Sequence, residues 1–426
     1  MKIAIIGSGI SGLGAAHALR DDARITLYES GPRLGGHTNT VDVTLDGVTA
    51  GVDTGFLVFN ERTYPNLIRL FDELSIPVAK SDMSFGVSVA RGGGRRLEWA
   101  GTDLNAVFAQ RRNLLSPAFL GMLRDILRFN REATRIAQEP GRHDGLSLGE
   151  FLDRGGYGDA LRCWYLLPMA AAIWSCPMAT MLAYPLATFA RFCHNHGLLQ
   201  VENRPQWFTV RGGARQYVRR IAGRIPEVRL GDAVVSVKRD GVTGQVVVTS
   251  RNGSARYDHV VLACHSDQSL ALLADADAAE RGILEAVKYQ PNRAVLHTDT
   301  ALMPRLRSVW SSWNYMSDGG QEPNVSVTYL LNRLQPLPFG TPLLLTLNPI
   351  AEPDRDKVIA EFDYAHPIFD GAAIAAQRRL ADVQGRRQVW FAGAWTGYGF
   401  HEDGLKSGLA VAHAIVGQAA THRLAA

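Results

Sequence analysis

The chain has 426 residues, of which 46% are hydrophobic and 20% are charged, and its formal net charge is +4. This length suits two domains, and the ordinary globular composition excludes a disordered or fibrous chain. The basic residues are spread along the chain apart from a short run at residues 91–96, so no nucleic-acid binding is predicted. The mild basic excess leaves an anionic ligand or a membrane surface open as a partner.

The cysteines and the N-terminus predict a cytoplasmic protein. None of the four cysteines forms a C-x-x-C pair, and most lie in apolar surroundings: Cys163, Cys176, Cys193 and Cys264. They are interpreted as buried thiols of a reducing compartment and not as a disulfide framework. The chain starts with MKIAIIGSG, which enters a strand at once and lacks the features of a secretion signal.

The start of the chain predicts a strand, a glycine turn, a helix and a second strand. KIAIIG is a continuous apolar run, SGLGAAHALR has helical spacing and RITLYES is a strand. In the intervening G-x-G-x-x-G, Gly7 permits the turn, Gly9 lets the backbone approach a pyrophosphate and Gly12 lets helix and strand pack. Glu29 ends the second strand, where its carboxylate would accept ribose hydroxyls. The pattern therefore predicts a dinucleotide-binding unit of a doubly wound sheet.

An alternating hairpin at residues 41–53 and helical spacing at residues 67–135 follow, and then comes an uncharged segment at residues 163–190. That segment is long enough to span a bilayer. However, Pro168, Pro177 and Pro185 divide it into short pieces, since proline inside a helix removes a hydrogen bond and clashes with the preceding turn. We interpret it as buried, broken helices that line an apolar chamber, and the alternative is an element that dips into a membrane.

The second half of the chain predicts the remaining parts of two domains. A glycine turn and helix begin near Arg211, and alternating strands follow as far as Cys264. Residues 286–362 predict a large antiparallel sheet, and the chain ends on a strand, RRQVWFAGAW, and a helix rich in small residues. We predict an α/β fold, α+β overall, in which a Rossmann-type nucleotide domain contains an inserted helix-plus-antiparallel-sheet substrate domain. The first comprises residues 1–66, 205–285 and 386–426, and the second residues 67–204 and 286–385.

Several motifs resemble those of the flavin-containing amine oxidase and phytoene desaturase superfamily. SGPRLGGHTNT follows Glu29, Asp53-Thr54-Gly55-Phe56 matches an Asp-x-Gly loop, and FAGAWTGYGFHEDGLKSG matches a C-terminal flavin segment. The resemblance implies FAD as the cofactor and a wide set of binding residues. These are Gly7, Gly9, Ser11, Gly12, Glu29, Ser30, Arg33, Gly35, Gly36, His37, Thr38, Gly55, Phe56, Val234, Gly393, Trp395, Glu402, Asp403 and Gly404.

The sequence departs from the superfamily pattern in three places. His37 replaces the usual arginine of the Gly-Gly-Arg motif, and Gly393 is followed by alanine and tryptophan where many members have an acid. The strand that would carry the lysine of amine oxidases, PNRAVLHTD, contains Arg293 and no lysine. Since the resemblance associates that lysine with oxygen reactivity, these departures weaken the interpretation as an oxygen-using amine oxidase and leave room for a desaturase or dehydrogenase.

Within the superfamily, DTGFLVFN and GFHEDGLKSG resemble a bacterial branch of predicted NAD/FAD-binding oxidoreductases associated with cyclopropane or methyl-branched fatty acid synthesis. This resemblance implies a hydride-accepting flavoenzyme whose small-molecule substrate is apolar or lipid-like, with possible peripheral membrane contact. A fatty acyl chain is the first candidate and an amine the second. A protein that binds FAD or NAD as a non-catalytic assembly factor is the third.

The sequence His401-Glu402-Asp403 precedes the last helix. Neighbouring residues on a turn point in different directions, so no metal site is predicted there, nor at His194 and His196, which are interpreted as polar loop residues. Glu402 or Asp403 is expected to cap the helix. His401, together with Tyr398, is the candidate catalytic side chain on the substrate side of the flavin.

Overall fold

The computed structural model describes residues 1–139, 141, 143, 145–174, 178–200, 203–319 and 324–425. The strands in these residues are β1 (Lys2–Ile6), β2 (Arg24–Glu29), β3 (Thr40–Leu45), β4 (Val48–Asp53), β5 (Phe59–Asn60), β6 (Val78–Ser81), β7 (Phe85–Ala90), β8 (Arg96–Ala100), β9 (Trp207–Val210), β10 (Glu227–Leu230), β11 (Val234–Arg239), β12 (Val246–Ser250), β13 (Gly253–Tyr257), β14 (His259–Leu262), β15 (Lys288–His297), β16 (Trp313–Ser317), β17 (Val325–Leu330), β18 (Leu344–Leu347), β19 (Val358–Ile368) and β20 (Val389–Phe391). The α-helices are α1 (Ile10–Leu19), α2 (Pro65–Glu73), α3 (Leu104–Val107), α4 (Pro117–Gln138), α5 (Leu148–Arg154), α6 (Asp159–Leu161), α7 (Leu167–Trp174), α8 (Met178–Leu182), α9 (Leu186–Asn195), α10 (Arg215–Ala222), α11 (Ser266–Leu272), α12 (Ala278–Leu284), α13 (Leu331–Leu334), α14 (Gly371–Arg378) and α15 (His401–Ala425).

A five-stranded parallel sheet has the order β10-β2-β1-β14-β20. Ile3 of β1 pairs with Ile25 of β2 on one side and with His259 of β14 on the other. Consecutive residues of β1 and β2 are buried, because strands covered on both faces need continuous apolar runs and not alternation. The predicted opening of strand, glycine turn, helix and strand is confirmed, and so is the α/β fold class.

Helices α1 and α15 pack against each other through glycines. A Cβ atom on Gly408 would lie 2.1 Å from the Ser11 carbonyl oxygen, and one on Gly14 would lie 2.5 Å from the Leu405 side chain. Any larger residue at these positions would separate the helices. The close contact brings the start of α15 beside the glycine turn at the start of α1.

The second large sheet has seven strands in the order β19-β15-β18-β17-β16-β7-β8. All its neighbours are antiparallel except β16 and β7, which run parallel. The antiparallel sheet predicted at residues 286–362 is therefore present, but it also contains β7 and β8, which come from an earlier part of the chain. The helical spacing predicted over residues 67–135 is wrong for residues 78–100, which form β6, β7 and β8. These short segments become strands because they pair with β9 and β16, partners far away in the sequence.

The uncharged segment folds into buried, broken helices. It runs through a π-helical turn (Arg162–Leu166), then α7, α8 and α9, and Pro185 precedes α9 as its N-cap. Pro177 and Cys176 lie outside the described residues. Most side chains of α7 and α9 are buried in a cluster that also contains Phe129 of α4. No helix in the described part of the chain is long and apolar enough to cross a membrane.

The cysteines differ in exposure. Cys193 is fully buried on α9, as predicted, and Cys264 is half-buried. The prediction is wrong for Cys163, which is exposed, because its side chain lies on the outer side of the π-helical turn.

Lowering the pH from 7 to 5 is expected to weaken the fold measurably through His297. This side chain is fully buried in β15, where Nε2 contacts the Thr346 hydroxyl at 2.7 Å and Nδ1 accepts the Asp299 N–H at 3.0 Å. Burial lowers the pKa of His297 to about 4, against 6.5 in the unfolded chain. Between these values the unfolded chain binds a proton that the folded chain does not, so the stability is complete above pH 6.5 and is lost as the pH falls towards 4.

Urea unfolding at both pH values checks this prediction. From pH 7 to pH 5, the free energy of unfolding of the wild type should fall by about 2 kcal/mol more than that of His297→Gln. An equal fall in both proteins would contradict it.

Candidate functional site

A cavity of about 730 Å³ lies between the two large sheets and the broken helices. One group of lining residues comes from the ends of β1, β2 and β14 and from the turns that follow them. A second group comes from α7, α9, the seven-stranded sheet and the turn before α15. The cavity thus joins the edge of a parallel sheet, where nucleotides bind in such folds, to an aromatic chamber.

The glycine turn after β1 forms one wall. Gly7 has a φ of +104°, and a Cβ there would lie 2.7 Å from the Ala263 carbonyl oxygen. A Cβ on Gly12 would lie 2.0 Å from the Gly7 carbonyl oxygen, so Gly12 serves the packing of the turn itself. Gly9, in contrast, has an ordinary φ of −64° and no atom within 4 Å of its Cβ position. Gly9 therefore presents bare backbone to the cavity.

Glu29 stands at the end of β2 and lines the same wall. Its carboxylate accepts the backbone N–H of Ser8 at 3.1 Å and that of Gly31 at 2.8 Å. These bonds hold the carboxylate beside the glycine turn. The role of Glu29 as acceptor for ribose hydroxyls stays a prediction.

Most of the predicted cofactor and catalytic residues line the cavity. They are Gly7, Gly9, Ser11, Glu29, Ser30, Gly35, Gly36, His37, Gly55, Phe56, Val234, Gly393, Trp395, Tyr398 and His401. Six others lie behind the wall: Gly12, Arg33, Thr38, Glu402, Asp403 and Gly404.

Most of the predicted residues that do not line the cavity contact the backbone and side chains of its wall. Arg33 donates to the Thr38 carbonyl at 3.3 Å, and a Cβ on Gly404 would come within 2.9 Å of the Ser11 side chain. Asp403 accepts the Phe400 N–H at 3.0 Å, so it caps α15 from inside the first turn. Glu402, however, caps a different helix.

The carboxylate of Glu402 is buried against the start of α2. It accepts the backbone N–H groups of Asn66 at 3.0 Å and of Leu67 at 2.9 Å. Of the two residues expected to cap α15, Asp403 does so, whereas Glu402 caps α2, because in this fold the start of α2 lies against α15 and offers its free N–H groups.

His37 is a half-buried neutral side chain on the cavity wall. Its ring stacks on Tyr364 at 5.2 Å and lies near the rings of His366 at 5.3 Å and His265 at 6.4 Å. Burial, helped by the neighbouring basic groups, holds the pKa of His37 well below its usual range. Its Nε2 atom has no hydrogen-bond partner within the protein. A ligand atom in the cavity would satisfy this nitrogen.

These features fit a bound dinucleotide. The bare backbone at Gly9 and the start of α1 suit a pyrophosphate. Trp395 also lines the cavity, and its buried indole Nε1 has no hydrogen-bond partner within the protein. A ligand atom could accept a hydrogen bond from it. A side chain at Gly36 would approach the Gly9 Cα at 3.2 Å, so both glycines keep the wall open.

His401 lies at the first residue of α15 and faces the cavity. Its ring stacks on Phe56, with centroids 3.9 Å apart and planes 9° apart. Nε2 contacts the Tyr217 hydroxyl at 2.8 Å and the Thr38 hydroxyl at 3.3 Å. Burial lowers the pKa of His401 to about 3, so the ring is neutral near pH 7. This side chain can therefore orient neighbours but carries no charge there.

Sequence reasoning missed an aromatic group around His196. The structure places this residue at the end of α9, buried, with its ring stacked on Phe192 at 4.0 Å and near Phe400 at 5.6 Å. The interpretation of His196 as a polar loop residue is wrong, because α9 turns it inwards. Burial lowers its pKa to about 4. The signal in the sequence was the spacing of four between Phe192 and His196 on one helix.

Among the residues that the structure describes, the aromatic chamber carries no side chain of Lys, Arg, Asp or Glu. Among the described residues that line the cavity, the two carboxylates are Glu29 and Asp232, and none is a lysine or an arginine. Both acids belong to the nucleotide wall, where Asp232 accepts the Ser250 hydroxyl at 3.0 Å. Arg293 lies on the surface, paired with Glu352 and Glu361. No group of metal-ligating side chains occurs in the described part of the chain.

Comparison with solved structures finds the same fold in several enzymes. Putrescine oxidase with bound putrescine has a TM-score of 0.67 and 17% identity, covering 98% of this chain and 99% of that chain. Cyclohexylamine oxidase from Brevibacterium oxydans IH-35A has a TM-score of 0.65 and 17% identity, with the same coverage. The fatty acid isomerase from P. acnes that produces CLA has a TM-score of 0.65 and 15% identity, covering 96% of this chain and 97% of that chain. These similarities establish the fold.

The family relationship comes from the sequence. Curated proteins give no match. The family model for flavin containing amine oxidoreductase matches residues 10–330, which is more than half of the chain. The chain therefore belongs to the flavin-containing amine oxidoreductase family, and it is an FAD-dependent oxidoreductase.

Proposed function

We propose that this enzyme oxidises an apolar or amphipathic substrate, and that a fatty acyl chain, methyl-branched or carrying a cyclopropane, is desaturated in the aromatic chamber. The observation that carries the proposal is the chemistry of the chamber wall. Phe192, Phe400, Trp174, Trp313 and Leu345 are among its residues, and its histidine, His196, is neutral near pH 7. Such a wall favours a hydrocarbon chain.

An amine fits this wall less well. A protonated amine would lose its hydration on entering the chamber, where no described residue offers a carboxylate to pair with it, and an unpaired buried charge is strongly unfavourable. The lining also contains no lysine among the described residues. An amine oxidase, as in the neighbours that oxidise putrescine and cyclohexylamine, is therefore the alternative. The fold neighbour that acts on a fatty acid is compatible with the first candidate.

Bound FAD supplies a two-electron acceptor that takes hydride at N5 of its ring. The residues of this chain that would hold it are Gly9, Gly36, His37 and Glu29, together with the start of α1. In the chamber, Phe192 and Phe400, with ring centroids 4.9 Å apart, would orient the chain and exclude water. The N–H groups at the start of α15 would stabilise negative charge that develops nearby.

Anaerobic reduction of the bound flavin is expected to separate the candidate substrates. Acyl substrates carrying a methyl branch or a cyclopropane should bleach the flavin absorption, whereas primary and cyclic amines should leave it unchanged, because no carboxylate among the described residues of the chamber can pair with an ammonium group. Stopped-flow absorbance under nitrogen measures this.

Dithionite is the control, since it must bleach the same band in a redox-active flavoprotein. Bleaching by amines alone would overturn the acyl-chain proposal in favour of amine oxidation. A flavin that dithionite bleaches but that no substrate of either class reduces would overturn both candidate substrates.

A further inference from the structure

The outer side of the helical layer carries an exposed surface of leucines and arginines. It is formed by α3, a 3₁₀ turn (Arg111–Leu115) and residues 117–131 of α4. Leu104 is 77% exposed and Leu115 is 88% exposed, although large apolar side chains are normally covered. The leucine–arginine surface consists of Leu104, Leu114, Leu115, Leu120, Leu127, Arg111, Arg112, Arg124 and Arg131.

Helix α4 has two opposite faces. Its inner face packs Phe119, Met122 and Phe129 into the core. Its outer face repeats leucine and arginine at residues 120, 124, 127 and 131, which follow one another at helical spacing and are all exposed. An amphipathic helix whose outer face mixes leucine with arginine is suited to the boundary between water and lipid.

The charge of this surface is positive. Residues 103–132 contain five arginines and three acids, Asp103, Asp125 and Glu132, and no lysine, which gives a net charge of +2. The buried Asp125 pairs with Arg124 and Arg128 of its own helix. Arg111 and Arg112 donate to backbone carbonyls and to the amide oxygens of Asn105 and Gln110. Both guanidinium groups therefore keep their charge for an anionic partner.

We propose that the leucine–arginine surface docks the protein on an anionic lipid bilayer. The exposed leucines would enter the acyl region while the arginines contact phosphate headgroups. A bilayer therefore accounts for both the apolar side chains and the positive charge of the surface. A nucleic acid would use the arginines but leave the leucines in water. An acidic protein is the remaining alternative, and binding to a poly-glutamate peptide distinguishes it from a lipid bilayer.

This surface is connected to the cavity by packed aromatic rings. Phe129 on the inner face of α4 contacts Phe189 of α9 with ring centroids 6.4 Å apart, and Phe189 contacts Trp174 at 5.8 Å. Trp174 lines the cavity. Docking would therefore bring the helical layer that walls the chamber against the bilayer. The docking proposal rests on the surface alone and does not depend on which substrate the chamber takes.

Vesicle co-sedimentation of the FAD-loaded protein tests this proposal. Vesicles of equimolar phosphatidylcholine and phosphatidylglycerol should bind it at least about 10-fold more tightly than phosphatidylcholine alone, and added salt should weaken the binding. Leu114→Glu/Leu115→Glu and, separately, Arg111→Gln/Arg112→Gln should each reduce the binding about 10-fold or more. The matched control is Val242→Glu, because Val242 is 95% exposed but lies between β11 and β12.

Flavin absorbance per protein shows that each variant is folded. No sedimentation with either vesicle would overturn the proposal, and so would equal losses in Val242→Glu and in the surface variants. Binding to a poly-glutamate peptide but not to vesicles would assign the surface to an acidic protein and would equally overturn it.

Discussion

Replacing Gly9 with valine is expected to weaken FAD binding about 100-fold or more, equivalent to ~3 kcal/mol, while the apoprotein stays folded. Gly9 has an extended backbone that valine adopts without strain, and its Cβ position has no atom within 4 Å. The added side chain would therefore fill cavity space and not protein interior. The free energy of unfolding of the apoprotein should change by no more than about 1 kcal/mol, the usual effect at a helix N-cap.

Two controls make the Gly9→Val experiment specific. Gly371→Val adds the same side chain at the start of α14, also with no atom within 4 Å but away from the cavity, and should leave the FAD dissociation constant unchanged. Gly12→Val should instead disrupt the turn, because its Cβ would lie 2.0 Å from the Gly7 carbonyl oxygen. Undiminished FAD affinity in Gly9→Val would show that the pyrophosphate does not lie against this wall.

Turnover is expected to fall about 100-fold in His401→Ala while FAD remains bound. The alanine would remove a ring that faces the cavity, stacks on Phe56 and contacts the hydroxyls of Tyr217 and Thr38. These contacts fix the position of the ring in the cavity wall. Single-turnover reduction of the flavin, with the FAD content of each sample, measures the effect.

The pH profile separates orientation by His401 from proton transfer by a charged imidazole. Because burial lowers the pKa of His401 to about 3, the ring stays neutral as the pH falls from 8 to 5, so this residue should add no inflection to the flavin reduction rate in that range. Tyr217→Phe is the matched variant, since it removes the hydroxyl that contacts Nε2 and keeps the ring; it should lower the rate less than His401→Ala does. Unchanged turnover in His401→Ala would show that this side chain has only a structural role.

The nucleotide wall was predictable from the sequence because its signals are local. The glycine spacing and the continuous apolar runs of β1 and β2 depend on backbone sterics and burial within a short stretch of chain. In contrast, β7 and β8 were missed because their strand conformation comes from pairing with β16 and with each other. Local spacing cannot reveal a partner more than two hundred residues away.

The residues of the site show the same difference between local sequence signals and contacts that depend on the fold. Glu402 was recognised as a capping residue, but the helix that it caps is α2, and that contact exists only because α2 and α15 meet in the fold. His196 is interpreted from the sequence as a polar loop residue because no third metal ligand lies near His194 and His196, and the spacing from Phe192 does not show what α9 packs against. Its place beside Phe400 comes from the packing of α9 against the turn before α15.

The sequence by itself determined the Rossmann-type opening, the family resemblance and the uncharged segment, because short-range sterics and the chemistry of neighbouring residues fix such features. Only the tertiary structure decided which side chains share the cavity. His37 meets His366, and Thr38 meets Tyr217 and His401, across most of the length of the chain. The physical reason is that burial, pKa and the freedom of a polar atom to bind a ligand depend on what packs around it, and packing is a property of the whole fold.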